Sequence, residues 1–150
     1  MAVEIDQSGK FEQLDTRTVI ACANETASAI WIPTQVKRKL IQKLRKTLIL
    51  RKDLVAVVFS VLVFLLLDTL DAIPTIIVID EEYTGKDKII KETLRKLIDR
   101  KTRKRWEGYI RFKQVGKLSS AHKLAWTIHR KKRFTGIKKI AEVDILRFLP

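Results

Sequence analysis

Five residues of this chain stand where their types could build a hard-cation centre: Asp6, Asp80, Glu81, Glu82 and His122. Asp6 stands in VEIDQSGK, a short β-like run followed at once by a Ser-Gly turn. Aspartate is common in turns because it bonds to its own backbone, which is one reading of it; first ligand of a metal site is the other. Asp80 ends TIIVID, and Glu81 and Glu82 follow directly in IDEEYTGK, three successive acids at a strand end. Alone, that cluster also fits a solvated acidic turn. Carboxylate oxygens are hard donors that suit Mg²⁺ or Mn²⁺. Functional groups of open α/β sheets collect beyond the strand ends, so parallel neighbouring strands would bring Asp6 and Asp80 to one edge, close enough to share an ion.

His122 lies in VGKLSSAHKLAW, in the first turn of an expected helix that Ser119 or Ser120 can cap. A helix N-terminus disfavours a cation, which suits an imidazole acting as a ligand. His129, seven residues on and on a similar helical face, sits beside Arg130, Lys131, Lys132 and Arg133 and reads as a surface or phosphate-facing residue. Trp126 lies one turn beyond His122, where it can either pack on the sheet or stack a base, packing being the commoner outcome.

The elements that must position these residues follow from hydrophobic patterning. Residues 2–6, 18–24 and 28–32 read as three strands joined by short connections, an antiparallel meander, with residues 11–15 able to extend the first hairpin. Pro33 and Thr34 open a helix whose apolar stripe is Val36, Leu40, Ile41, Leu44 and Leu48, with basic residues opposite. LVAVVFSVLVFLLL, fourteen uncharged residues from Leu54 to Leu67, follows; Asp53 would cap it. A membrane span needs about 20 apolar residues, and extending this one would enclose Asp68 and Asp71, so the expectation is a helix buried against a sheet or a second copy of the chain. Residues 75–80 form a β-branched strand buried on both faces, then come a helix over 85–103, a strand over 107–115, a helix over 119–130 and a short terminal helix over 141–149. The order β-β-β-α(α)-β-α-β-α predicts a single α/β domain spanning residues 1–150, a five-stranded mixed sheet with helices on both faces.

Charge narrows the function classes. The 150 residues carry a formal net charge of +14, and the positive residues are clustered. Residues 34–52 hold eight Lys or Arg and no acid, and residues 111–139 hold ten and no acid. Such a field favours polyanions, nucleic acid before an acidic membrane surface; the bland alternative is a generally basic, solvated surface. One cysteine, Cys22, sits in an apolar run and reads as a small buried hydrophobe. No internal disulfide can form, and no secretory signal is evident, so the expected setting is a reducing cytoplasm. Abundant Lys, Glu and Ile lean toward a thermophile.

VEIDQSG, TIIVID and SSAHKLA in this order, together with the strand and helix order, resemble the ribonuclease H-like superfamily over nearly the whole chain, and in particular its small archaeal members. The resemblance implies divalent-metal ligands at Asp6, Asp80 and His122, with Glu81 and Glu82 in reserve, and a nuclease that hydrolyses phosphodiester bonds of DNA or RNA with Mg²⁺ or Mn²⁺. In that mechanism one ion activates water for in-line attack and a second stabilises the leaving oxygen. Lys113, Lys117 and Lys123 would flank the site, with Lys10 on the first turn, and neutralise backbone phosphates. The first helix departs from the ribonuclease H pattern because it contains no acid, so Glu81, Glu82, Glu25 or Asp68 must fill that place or the chain binds nucleic acid without cutting it. Glu4, on the same strand face as Asp6, is a spare acid. A self-association surface on the apolar helix is a further expectation.

Overall fold

Val3 and Ile5 alternate with polar neighbours, the period of a strand with one face in a core. The computed structural model of the chain describes residues 1–47 and 51–150. It folds this run as β1 (Ala2–Ser8), followed by β2 (Thr18–Asn24), β3 (Ser28–Ile32), α1 (Thr34–Leu44), α2 (Arg51–Leu67), β4 (Ile76–Asp80), α3 (Asp87–Thr102), β5 (Tyr109–Lys113), α4 (Ser120–Arg130), β6 (Lys138–Lys139) and α5 (Glu142–Leu146). Among the described residues, the six strands form one mixed sheet in the order β5-β4-β1-β2-β3-β6. β1, β2 and β3 are an antiparallel meander, whereas β4 runs parallel to β1, β5 parallel to β4 and β6 parallel to β3.

The expected α/β class and the meander hold, but the sheet has six strands rather than five. The additional strand is two exposed lysines beside Ile30 and Trp31, too short and too polar to carry a hydrophobic signature. Charged side chains on so short an edge also discourage pairing with another chain.

α2 is uncharged from Leu54 to Leu67, and every residue of that run except Val55 is buried. It packs against β2, β3, α3 and α5, so its apolar surface is consumed within the fold. The reason for expecting a second copy of the chain on this helix therefore falls away. Among the described residues, no helix is long and apolar enough to cross a membrane. Asp53 lies inside the first turn of α2 rather than capping it, and its carboxylate takes a 2.9 Å hydrogen bond from Lys86 at the entry to α3. Leu48, expected on the apolar stripe of α1, lies outside the described residues.

The opposite face of the sheet is covered by α4. Ala125 and Ile128 pack there on Val19, Ala21 and Ala29, small residues that let a helix approach closely. Cys22 is buried in the main core as expected, and burial pushes its thiol up to about 11.

Residues 11–15 do not extend the hairpin; they are turns without strand pairing. The ladder they lack is replaced by Lys37, which was expected on the solvated face of α1 and is instead fully buried. Its Nζ donates to the carbonyls of Lys10 (3.2 Å), Gln13 (2.5 Å) and Thr16 (2.6 Å) and to Thr18 Oγ1 (3.0 Å). Burial brings this ammonium down to about 8, against the pull of Glu12 and Asp15. Phe11, also fully buried, anchors the same segment through the core.

Candidate metal centre

Parallel pairing of β1 with β4 sets Ile5 opposite Ile79, so the next residue on each strand is an aspartate, Asp6 and Asp80. Both side chains leave the sheet at one edge. The chain leaving β4 then turns so that Glu82 joins them: Asp6, Asp80 and Glu82 each offer a carboxylate oxygen, all within 4.8 Å of one another. Oxygens so spaced can share a cation, because each ligand bond is about 2.0–2.6 Å long. Strand β1 continues two residues past Asp6, so the aspartate is not at the strand tip.

These carboxylates are held from several sides. Asp6 is 4% exposed; its Oδ1 accepts the Gln7 backbone N–H at 2.8 Å and its Oδ2 lies 2.8 Å from His122 Nδ1. Asp80 Oδ1 accepts the Val115 N–H at 2.8 Å, which ties the end of β4 to the loop beyond β5. Gln7, also buried, donates from Nε2 to Glu82 and, at 3.0 Å, to the Tyr83 hydroxyl. That hydroxyl in turn donates to Glu12 at 3.1 Å, and burial raises its pKa. Of the two serines expected to cap α4, Ser119 does so: its side chain accepts the His122 N–H at 3.0 Å.

Electrostatics follow from the geometry. Burial raises the pKa of Asp6 first of all, with the charge of Asp80 adding to it, while the Gln7 and His122 hydrogen bonds pull the other way. Glu82 is pushed up to about 8, chiefly by burial and then by the charges of Asp6 and Asp80. Among the described residues no lysine or arginine forms a salt bridge with any of the three; Lys113 pairs with Glu4 at 3.4 Å instead. Three carboxyl groups in one place without a cation cannot all be ionised at neutral pH. The donor set is all oxygen and anionic, which fits a hard divalent ion.

The residues expected at the site divide into two groups. Asp6, Asp80, Glu81, Glu82, Lys117 and His122 line one open hollow of about 340 Å³. Within it Glu81 is exposed and outside the close trio, and His122 stands beside Asp6 rather than within that trio. Lys123 points outward from α4, and Lys10 is exposed on the loop after β1. Of the other acids considered, Glu82 stands with the aspartates, whereas Glu25 takes the Ala2 backbone N–H and Asp68 pairs with Lys101.

His129 is not phosphate-facing. It is half-buried, with Nδ1 2.8 Å from Ser8 Oγ and Nε2 2.8 Å from Thr16 Oγ1, and it pins α4 to the chain on either side of β1's turn. That turn needs Gly9: its φ is +73°, and a Cβ there would lie 2.3 Å from the Arg17 carbonyl oxygen and 2.4 Å from His129 Cε1. Trp126, for which packing on the sheet was the commoner expectation, is 49% exposed. Sequence patterning missed Gln7 and Lys37 as well. The only signal for Gln7 was its place between the aspartate and the turn; none existed for Lys37.

No family model, no curated protein and no solved structure matches the chain.

Proposed function

We propose that the chain is a divalent-metal-dependent nuclease, hydrolysing phosphodiester bonds of DNA or RNA on a ribonuclease H-like variant of the α/β fold. The observation that carries this reading is the trio Asp6, Asp80 and Glu82, mutually within 4.8 Å and without a lysine or arginine partner among the described residues, on a chain of net charge +14. A negatively charged pocket on a strongly positive protein is what a polyanion substrate and a bridging cation together require. Asp6, Asp80 and Glu82 would hold Mg²⁺ or Mn²⁺, which when bound supplies an activated water and neutralises the charge developing on the leaving oxygen. His122 keeps the Asp6 carboxylate oriented through its Nδ1 contact, and Gln7 does the same for Glu82. Lys117, on the wall of the same hollow, is placed to meet a substrate phosphate. Lys10, Lys113 and Lys123 extend the positive surface around it, Lys113 while sharing its charge with Glu4.

A second reading, a nucleic-acid-binding protein that does not cut, is favoured by one observation: α1 contributes no carboxylate. Labelled single- and double-stranded DNA and RNA, incubated with Mg²⁺ or Mn²⁺ and with chelator, separate the two. The nuclease reading expects metal-dependent cleavage that Asp6→Asn and Asp80→Asn abolish. Cleavage unchanged in both variants would remove the site, and binding without cleavage would establish the second reading.

A further inference from the structure

Helix α4 buries Ala121, Ala125 and Ile128 and leaves Lys123, Trp126, Thr127 and Arg130 in water. An exposed tryptophan on such a face is unusual, because so large a ring gains most from burial. Nothing here requires the exposure for packing, since the small residues of α4 already close the helix onto the sheet. The ring does not hang free, however: the Arg130 guanidinium lies over it, 4.2 Å from its centroid. An indole has two faces, and with one held by Arg130 and 49% of the residue exposed, the ring is fixed in direction and still open.

Its position gives that openness a use. Four residues of helix carry the chain about 6 Å along the axis and about 40° around it, so Trp126 follows directly from His122 at the edge of the acidic hollow. Lys123 and Arg130 flank it, and no acid occurs between residues 111 and 139. Cations alternating with an open aromatic face match the phosphates and bases of a polynucleotide. A duplex hides the faces of its bases in its own stack, whereas a single strand presents them, and base stacking on an aromatic side chain is the main non-ionic contribution to single-strand binding.

We infer that the Lys123–Trp126–Arg130 face of α4 is a binding track for single-stranded nucleic acid, with one base stacked on Trp126 next to the acidic hollow. This rests on the proposed function for its choice of polyanion, but its test does not depend on cleavage. The full chain is titrated in chelator with a labelled homopyrimidine oligonucleotide, single-stranded and annealed to its complement, at fixed salt. Trp126→Ala is expected to weaken single-strand binding by about 5- to 150-fold and to leave duplex binding unchanged. Trp126→Phe keeps a stacking surface and should retain most of the affinity, while the fluorescence quenching expected from a base stacked on Trp126 in the wild type should be lost. Circular dichroism of both variants checks that the exposed substitution leaves the fold intact. Wild-type affinity in Trp126→Ala, equal losses for duplex and single strand, or no binding of either nucleic acid would each overturn the inference. Metal-dependent cleavage with unaltered binding in Trp126→Ala defeats this track and leaves the nuclease standing. Trp126-dependent binding without cleavage does the reverse.

Discussion

His122 Nδ1 and Asp6 Oδ2 lie 2.8 Å apart although they are 116 positions apart in the chain. One end of α4 is thereby fastened to the buried aspartate of β1, with the Ser119 cap fixing the turn that carries the imidazole. The contact makes His122 a positioning residue for Asp6.

That role predicts a difference between two substitutions. His122→Asn can still donate to Asp6 through its amide, whereas His122→Ala cannot. Isothermal titration with Mn²⁺ should find affinity reduced about 10- to 100-fold in the alanine variant and largely kept in the asparagine variant. Equal losses in both would instead mark the imidazole as a direct ligand.

The trio itself predicts how stability responds to metal. Mg²⁺ or Mn²⁺ at about one hundred times its Kd should stabilise the folded chain by about 2.7 kcal/mol, a rise of about 5–10 °C in Tm. Asp80→Asn and Glu82→Gln should abolish this rise. Asp80→Asn also removes a repelling carboxylate, and Glu82→Gln replaces a carboxyl that burial already keeps largely protonated at neutral pH, so without metal both variants should melt no lower than the wild type. Glu81→Gln, at an exposed position outside the trio, should keep the full response. Differential scanning fluorimetry with and without chelator reads all four chains.

Lys37 predicts a large cost at a residue remote from the carboxylate trio. Lys37→Met leaves three backbone carbonyls and the Thr18 hydroxyl without their donor. A buried acceptor left unsatisfied costs about 1–3 kcal/mol, and with water entering to serve some of them a total near 3 kcal/mol is expected in urea unfolding. The 10–17 segment should also become the first site of limited proteolysis, because its turns have no ladder to fall back on.

His129 predicts a loss of stability in mild acid. A neutral imidazole serves the two hydroxyls at Ser8 and Thr16 by donating from one nitrogen and accepting at the other. Burial lowers its pKa below the ordinary 6.5, and the nearby Arg17 and Lys37 charges act in the same direction. The folded-state value is thus the lower one, so below pH 6.5 the unfolded chain takes up the proton first. The contribution is complete above pH 6.5 and declines as pH falls toward the folded-state value. His129→Gln should be less sensitive than the wild type between pH 7 and pH 5.5 when urea midpoints are compared.

Much of the fold was legible from patterning. Period-two and β-branched runs marked β1 to β5, and the uncharged stretch from Leu54 to Leu67 marked α2, because burial imposes those patterns on any sequence that folds this way. β6 was not legible, since two edge lysines bury nothing. The solvated appearance of α1 was wrong at Lys37 for a related reason: helical spacing shows which side of a helix faces the sheet, but not that a neighbouring loop brings carbonyls to meet an ammonium there.

The site divides along the same line. Local sequence determined that Asp6 and Asp80 end or nearly end their strands, that Ser119 or Ser120 caps α4, and that the basic residues lie in two acid-free blocks, because caps, strand ends and charge runs are properties of neighbouring residues. Only the tertiary structure decided that β4 lies beside β1, that Glu82 rather than Glu81 turns back toward the aspartates, that His129 is a tie, and that Trp126 stays in water. Each of these depends on which distant segment fills the adjoining space, and that is set by packing of the whole chain around α2 rather than by any stretch read alone.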